Sequence, residues 1–383
     1  MHVLISALSR FTEPTGICRH AANLALALDQ SGAVERVSFV TGAWQERYFR
    51  SELGLESAAR VRIEAVQIRN SSISRNLWFM RGLPELSRTL HADVVHLSFP
   101  VPVIRRSYNC KTVATLHDLY PYDVAQNFGY PNVLFVRMFL RTCLAGADAI
   151  TCVSEVTRKR LATLYRARHI HKSLVIPNIV RMGAMPGTRP GNLRFEQYVL
   201  CVAQHRANKN LSLAIRGFAE MLAKRVLPNG TGLVIVGAPG PDTLKLERAV
   251  AELRLGNLVQ FLSSLRETEL TWMYQHCTLF LVTSTHEGFC LPLAEALYFG
   301  CPVVCSDIPV LREIGSEECC YFKLADSAAT EIANVASVAL KNGWREPSVK
   351  PHSSELAGQR YLELYSKLTG ISLGAQMPAR FVG

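Results

Sequence analysis

Short, mostly apolar segments recur along this chain, separated by stretches of helical periodicity, and that alternation restricts the fold more than any other feature. A first series runs HVLISAL, RVSFVTG, ADVVHLSF, KTVATLHD, DAITCVS and SLVIPN. A second runs YVLCVAQ, GLVIVGAPG, LVQFLSS, CTLFLVTS and CPVVCSD. A sheet with one wet face alternates apolar and polar residues. Runs that are apolar throughout predict parallel strands covered by helices on both faces. Between the two series lies RMGAMPGTRPGNLRFEQ, residues 181–197, rich in Gly and Pro and without periodicity. It reads as a linker. The expectation is an α/β chain of two doubly wound parallel-sheet domains, residues 1–180 and 198–350, followed by an amphipathic helix in 351–370. A length of 383 residues suits two domains of moderate size.

Charge is unevenly shared. Residues 1–180 hold 22 Lys and Arg against 13 Asp and Glu, while the remainder holds 20 against 18. A basic half attracts anions such as phosphates or an acidic membrane face. The cations are scattered, with no Lys/Arg block, which argues against a nucleic-acid partner. No apolar run approaches the ~20 residues that span a bilayer. The N-terminal run reads as a first strand and not as a signal peptide. The eleven cysteines include no Cys-x-x-Cys pair, the pattern of free thiols in a reducing cytoplasm.

Residues 285–307, THEGFCLPLAEALYFGCPVVCSD, hold two carboxylates eight positions apart, Glu287 and Glu295. Pro292 suits the first turn of a helix, and Gly300 with Pro302 suits its end. Such a helix aims free backbone N–H groups at whatever sits above residues 288–291, a place that favours phosphate. Gly288 lets a ligand approach the backbone. Glu295, one turn in, would accept hydrogen bonds from sugar hydroxyls, as an acidic residue does on the ribose in dinucleotide-binding folds. On spacing alone, both carboxylates read equally well as surface acids near a helix start.

This stretch resembles the Glu-x7-Glu signature of retaining glycosyltransferases of the GT-B fold, and most of all glycosyltransferase family four, the group one glycosyltransferases. Glu287, Gly288, Phe289, Leu291, Pro292, Glu295, Ala296, Gly300, Pro302, Val303 and Val304 match the family form, and Cys290 replaces a glycine. YVLCVAQHRANKNLSLAIRGF resembles the family's strand, loop and helix. There Lys209 corresponds to the lysine that holds the donor diphosphate, and Arg206 is the candidate for its arginine partner. Gly16 matches the N-terminal glycine loop. His117 and Asp118 match a strand ending in His-Asp, with His117 close to the transferred sugar. Ser154 and Asn178 correspond to cleft residues. SELAGQRYLELYSKL resembles the last helix, which crosses back to the first domain.

The resemblance implies two Rossmann-like domains facing across a cleft. The reaction implied is transfer of a mannose-, glucose- or rhamnose-type hexose, with retention, from a UDP-, GDP- or dTDP-sugar to a glycan or lipid-linked acceptor. Catalysis would fall to His117 and Glu287. Donor binding would fall to Gly16, Arg206, Lys209, Gly288, Phe289, Cys290, Leu291 and Glu295. No Asp-x-Asp occurs in the chain, so neither metal nor resident cofactor is expected. A cytoplasmic enzyme of cell-surface polysaccharide synthesis, in peripheral contact with an anionic membrane face, follows from the same resemblance. A phosphorylase lysine site is not found. The altered glycine positions, Thr15, Ile179, Ala203 and Cys290, leave a second reading open: a degenerate GT-B module that binds sugar nucleotide or a partner without turnover.

Overall fold

The computed structural model describes residues 1–12, 15–165, 167–181, 186–263, 265–346 and 353–372. The chain divides into two compact units, one of residues 1–179 with the C-terminal helix and one of residues 180–350.

The first unit carries seven parallel strands: β1 (His2–Ser6), β2 (Arg36–Gly42), β3 (Val61–Val66), β4 (Val94–Leu97), β5 (Lys111–Leu116), β6 (Ala149–Cys152) and β7 (Ser173–Val175). Their order is β3-β2-β1-β4-β5-β6-β7, so the winding reverses between β1 and β4. Strand β1 shows why both faces are covered. Val3 and Ile5 join one buried cluster with helix α1 (Gly16–Ser31), while Leu4 joins another on the opposite face. Helix α1 stops at Gly32, whose φ of 68° is the left-handed cap that glycine adopts without a Cβ clash. Helices α2 (Asn132–Gly146) and α3 (Glu155–Tyr165) precede and follow β6.

The second unit carries β8 (Tyr198–Val202), β9 (Gly232–Val236), β10 (Val259–Leu262), β11 (Leu279–Val282), β12 (Val303–Ser306) and β13 (Cys320–Phe322). Their order, β10-β9-β8-β11-β12-β13, repeats the same reversal, here between β8 and β11. Helices α4 (Leu211–Ala223), α5 (Glu267–His276), α6 (Leu291–Tyr298) and α7 (Ala328–Asn342) belong to this unit. Its core sets Val199, Cys201, Leu233 and Ile235 of the strands against Ile215 and Phe218 of α4 and Ile332 of α7. Residues ahead of β8 are tied to this unit: Thr188 N–H donates to the Thr268 carbonyl, and an Arg194 guanidinium N–H donates to the Val259 carbonyl.

The last helix, α8 (Ser354–Thr369), packs on α1 of the first unit, with Gly358 against Ala27. Its Tyr361 and Tyr365 are buried. Tyr365 Oη lies 2.7 Å from His96 Nδ1, and His96 Nε2 lies 2.9 Å from Thr115 Oγ1. Burial and the neighbouring His117 push the His96 pKa down to about 3, so its ring is neutral and this polar chain carries no buried charge.

Strands β3 and β13 are absent from the sequence-based expectation. Each lies at an edge of its sheet. VRIEAV mixes apolar with charged residues, and CYF is three residues long, so neither shows the apolar run of an interior strand. Among the described residues, no helix is long and apolar enough to cross a membrane.

Candidate active site

In an open parallel sheet the free space lies beyond the carboxyl ends of the strands where the winding reverses. In the second unit that place is bounded by the loop after β8, residues 203–210, and the loop after β11, residues 283–290. These loops are laced together. Thr285 N–H donates to the Asn208 carbonyl at 2.8 Å, and Asn208 Nδ2 donates to the His286 carbonyl at 3.2 Å. Thr283 Oγ1 donates to the Lys209 carbonyl at 3.0 Å, and Ser306 Oγ donates to the Ser284 carbonyl at 2.5 Å.

That bracing brings Lys209 and Glu287 together. Lys209 Nζ donates to Glu287 Oε1 at 2.5 Å, and Ser284 Oγ donates to the same oxygen at 2.7 Å. The glutamate side chain is 5% exposed and the lysine 20%. A charge pair this sheltered interacts more strongly than one in open water. Beside it is a cavity of about 20 Å3, lined by Lys209, Ser284, Glu287, Cys290 and Pro292 among others. It has room for about one water molecule. Gly237, just past β9, packs against the first loop: a Cβ there would fall 1.9 Å from the Ala203 carbonyl oxygen. Arg206 is half-buried on the first loop, three residues before Lys209.

Gly288, Phe289 and Cys290 are buried, and half-buried Leu291 begins α6. Cys290 has φ 73° and ψ 71°, left-handed backbone at the position where the resemblance implied glycine. Its Cβ is tolerated there at a strain cost. Burial and the Glu287 carboxylate push its thiol pKa up, so it stays protonated. Glu295 sits one turn into α6, buried, with Oε2 accepting from Tyr274 Oη at 2.7 Å. Tyr274, on α5, orients that carboxylate. Its own pKa is raised by burial and by Glu295.

The residues singled out in the first unit follow its strands' carboxyl ends. His117 directly follows β5, and its Nε2 lies 2.8 Å from the Ser98 carbonyl. A carbonyl only accepts, so Nε2 carries the proton and Nδ1 the lone pair. Burial pushes the His117 pKa down to about 4. Asp118 Oδ1 accepts from Tyr120 N–H at 3.0 Å. Gly16 opens α1 and is exposed, whereas His20, one turn further, is buried with its ring 4.8 Å from His117, edge to face. Asn178, after β7, is buried beside His20. Neither its Oδ1 nor either His20 nitrogen reaches hydrogen-bonding geometry. Ser154, after β6, is buried and caps α3, its Oγ accepting from Thr157 N–H at 3.1 Å.

The structure thus gathers Arg206, Lys209, Glu287 and residues 288–291 into one loop pair. In the first unit it brings His117 and Asn178 to a common neighbour, His20. Ser284, Tyr274 and His20 escaped the sequence reading. Ser284 lies just past a strand and Tyr274 lies inside a helix, so only the fold reveals what each touches.

Residues 14–182 match the family described as Glycosyltransferase Family 4, and residues 192–346 match that described as Glycosyl transferases group 1. Over 233 residues the chain is 25% identical to the O-antigen chain mannosyltransferase RfbU of Salmonella typhimurium, covering 61% of each chain. Over 215 residues it is 26% identical to the O-antigen chain mannosyltransferase B of Escherichia coli, covering 53% of this chain and 55% of the other. These alignments therefore reach only about three fifths and just over half of the relatives' own lengths. The structure of HepE from Anabaena, solved with UDP-glucose, matches with a TM-score of 0.67 at 16% identity, covering 96% of this chain and all of that one. A likeness at that identity speaks for the fold alone. The two family matches together take in most of the chain, and the two parallel sheets agree with the fold of the solved neighbour: this chain belongs to glycosyltransferase family 4 and has the GT-B fold.

Proposed function

We propose that the chain transfers a hexose from a nucleoside diphosphate sugar to an acceptor hydroxyl, with retention and without a metal ion. The observation that carries this reading is the Lys209–Glu287 pair between the loops after β8 and β11. A lysine held there, with Arg206 on the same loop and the backbone N–H groups opening α6, suits a diphosphate leaving group. Glu287 keeps Lys209 in place before the donor arrives and then takes hydroxyls of the donor sugar. Glu295, fixed by Tyr274, takes hydroxyls of the ribose. From the first unit, His117 offers a neutral Nδ1 that accepts from a sugar hydroxyl, and Asp118 contributes beside it.

In the reaction the bond from the anomeric carbon to the diphosphate oxygen breaks, and the acceptor oxygen bonds to the same face. The acceptor's proton passes to the departing phosphate oxygen. The sugar is oxocarbenium-like in between. The names of the relatives favour mannose or glucose among the hexoses, and a glycan or lipid-linked acceptor of surface polysaccharide synthesis. A cytoplasmic site of action, with peripheral attachment to an anionic membrane, accords with the basic first half.

A second reading is favoured by one observation, the strained Cys290 at the mouth of α6. On that reading the module binds sugar nucleotide without turnover. The two readings part in one experiment. UDP-, GDP- and dTDP-hexoses are incubated with the protein and a polyprenyl-linked sugar in EDTA. Diphosphate release is followed, and the product's anomeric configuration is read by NMR. Release with a retained configuration supports transfer as proposed, and an inverted product rejects retention. Binding without release, from any donor, supports the degenerate module.

A further inference from the structure

Helix α2 turns Val133, Leu140, Cys143 and Leu144 inward. Its opposite face should be polar if it met only water. Instead Leu134, Phe135 and Met138 are 47%, 54% and 49% exposed on that face, and Tyr130, just ahead of the helix, is 81% exposed. Single exposed apolar residues are ordinary on any protein. Three large ones on one side of one helix, with a fourth just ahead of it, form a patch that calls for an occupant.

What surrounds the patch is basic. No acid lies between residues 124 and 147, and residues 120–172 hold eight Lys and Arg against three Asp and Glu. The three acids are engaged: Asp123 with Arg160 at 2.7 Å, Asp148 with Arg105 at 3.1 Å, and Glu155 with Arg158 at 2.7 Å. On α2 itself, Arg141 is exposed about one turn beyond Met138 on the same face. Arg137 lies with its guanidinium 4.7 Å from the Tyr122 ring centroid. Tyr122 Oη meets Tyr165 Oη of α3, which adds the exposed Lys159 to this side of the unit.

We infer that α2 is a membrane-docking helix that lies in the surface of an anionic bilayer. Leu134, Phe135 and Met138 would enter the acyl boundary, and Tyr130 would sit at headgroup level. Arg141 with Lys159 of α3 would meet lipid phosphates. An apolar helix face rimmed by Arg and Lys is the build of a helix that lies in the membrane interface without crossing it. A second copy of the chain fits less well. One face of a 15-residue helix offers about 220 Å2, from a 22 Å length and ~10 Å width. A stable protein interface takes roughly 800 Å2 from each partner. This deepens the peripheral attachment proposed above by naming its surface, and it does not depend on hexosyl transfer.

The test uses the full chain and co-sedimentation with vesicles of phosphatidylcholine alone or of two parts phosphatidylcholine to one part phosphatidylglycerol. Binding to the anionic vesicles is expected to exceed binding to the neutral ones by at least ~10-fold, because each basic residue near the surface adds about 1 kcal/mol. The double variant Phe135→Ser/Met138→Ser should lose ~10-fold or more on the anionic vesicles, and Arg141→Glu should lose several-fold. Phe135 and Met138 are exposed, so the double variant should keep the wild-type melting temperature, and both variants should keep the wild-type nucleoside diphosphate affinity. Arg141 also hydrogen-bonds Tyr122 and Tyr165, so the melting temperature of its variant is not the control. Unchanged nucleotide affinity keeps the outcome separate from that of the donor site. Vesicle binding that is absent, or that neither variant alters, overturns the proposal. So does a concentration-dependent dimer in sedimentation velocity that the same double variant dissolves.

Discussion

Lys209 and Glu287, 78 residues apart in the chain, meet at 2.5 Å because each lies on a loop that leaves the sheet where its winding reverses. In the proposed function one supplies the positive charge for a diphosphate, and the other supplies the carboxylate that holds it ready.

Glu287→Gln keeps the shape of the side chain and removes its charge. Transfer should fall by a factor on the order of 10²–10³, the usual cost of one preorganised electrostatic group. Steady-state kinetics with the preferred donor measure this. The loss should sit in kcat more than in KM. Because Lys209 stays partly solvated, the thermal midpoint should fall only slightly.

Cys290 occupies left-handed backbone. Cys290→Val places a β-branched side chain where even an unbranched one is strained, and should cost about 1–3 kcal/mol in urea denaturation. Cys290→Gly relieves strain but gives up buried contact, so stability should stay within about 1 kcal/mol. Nucleotide affinity of the glycine variant should match or exceed that of the wild type.

The buried histidines of the first unit make stability depend on pH. His96 and His117 have pKa values pushed down to about 3 and about 4, and His20 lies well below its ordinary 6.5, in each case chiefly through burial. Between about pH 4 and 6.5 the unfolded chain therefore binds protons that the folded chain refuses. This source of stability is complete above pH 6.5 and is lost as pH falls through that window. Denaturation measured from pH 7.5 down to 5 should show a declining midpoint. A pH-independent midpoint, or one that rises on acidification, contradicts the neutral histidine core.

Tyr365→Phe removes the hydroxyl that meets buried His96 and should destabilise the first unit by about 1–2 kcal/mol. Nucleotide binding should be unaffected, since the proposed donor site belongs to the second unit. Hydrogen exchange should show the faster opening in α8 and β4.

Much of this architecture is legible in the sequence, for physical reasons. Interior strands such as LFLV and VVCS are apolar on both faces because helices cover both faces, and that run survives in one dimension. The Glu287 loop shows itself through the proline and glycine that bound α6. Edge strands β3 and β13 do not, since a half-covered strand needs no apolar run. Pairings across the fold are also hidden. Nothing near Glu295 in sequence points to Tyr274, 21 residues away on another helix. His20 reads as one polar residue in the first turns of an apolar helix, and only the sheet reveals that it packs on His117. Among the described residues, the π-helical turns Tyr48–Glu52 and Trp78–Gly82 likewise carry no signal in the apolar pattern.

The measurement that bears most directly on the account is calorimetric titration of UDP, GDP and dTDP, in EDTA, into wild-type protein and into Lys209→Ala. One nucleoside diphosphate should bind the wild type without metal. The variant should bind it at least ~10-fold more weakly, in line with the loss of one charge-assisted contact. Equal affinities for the two proteins, or wild-type binding only after a divalent metal is restored, would contradict a donor site built on Lys209 and Glu287.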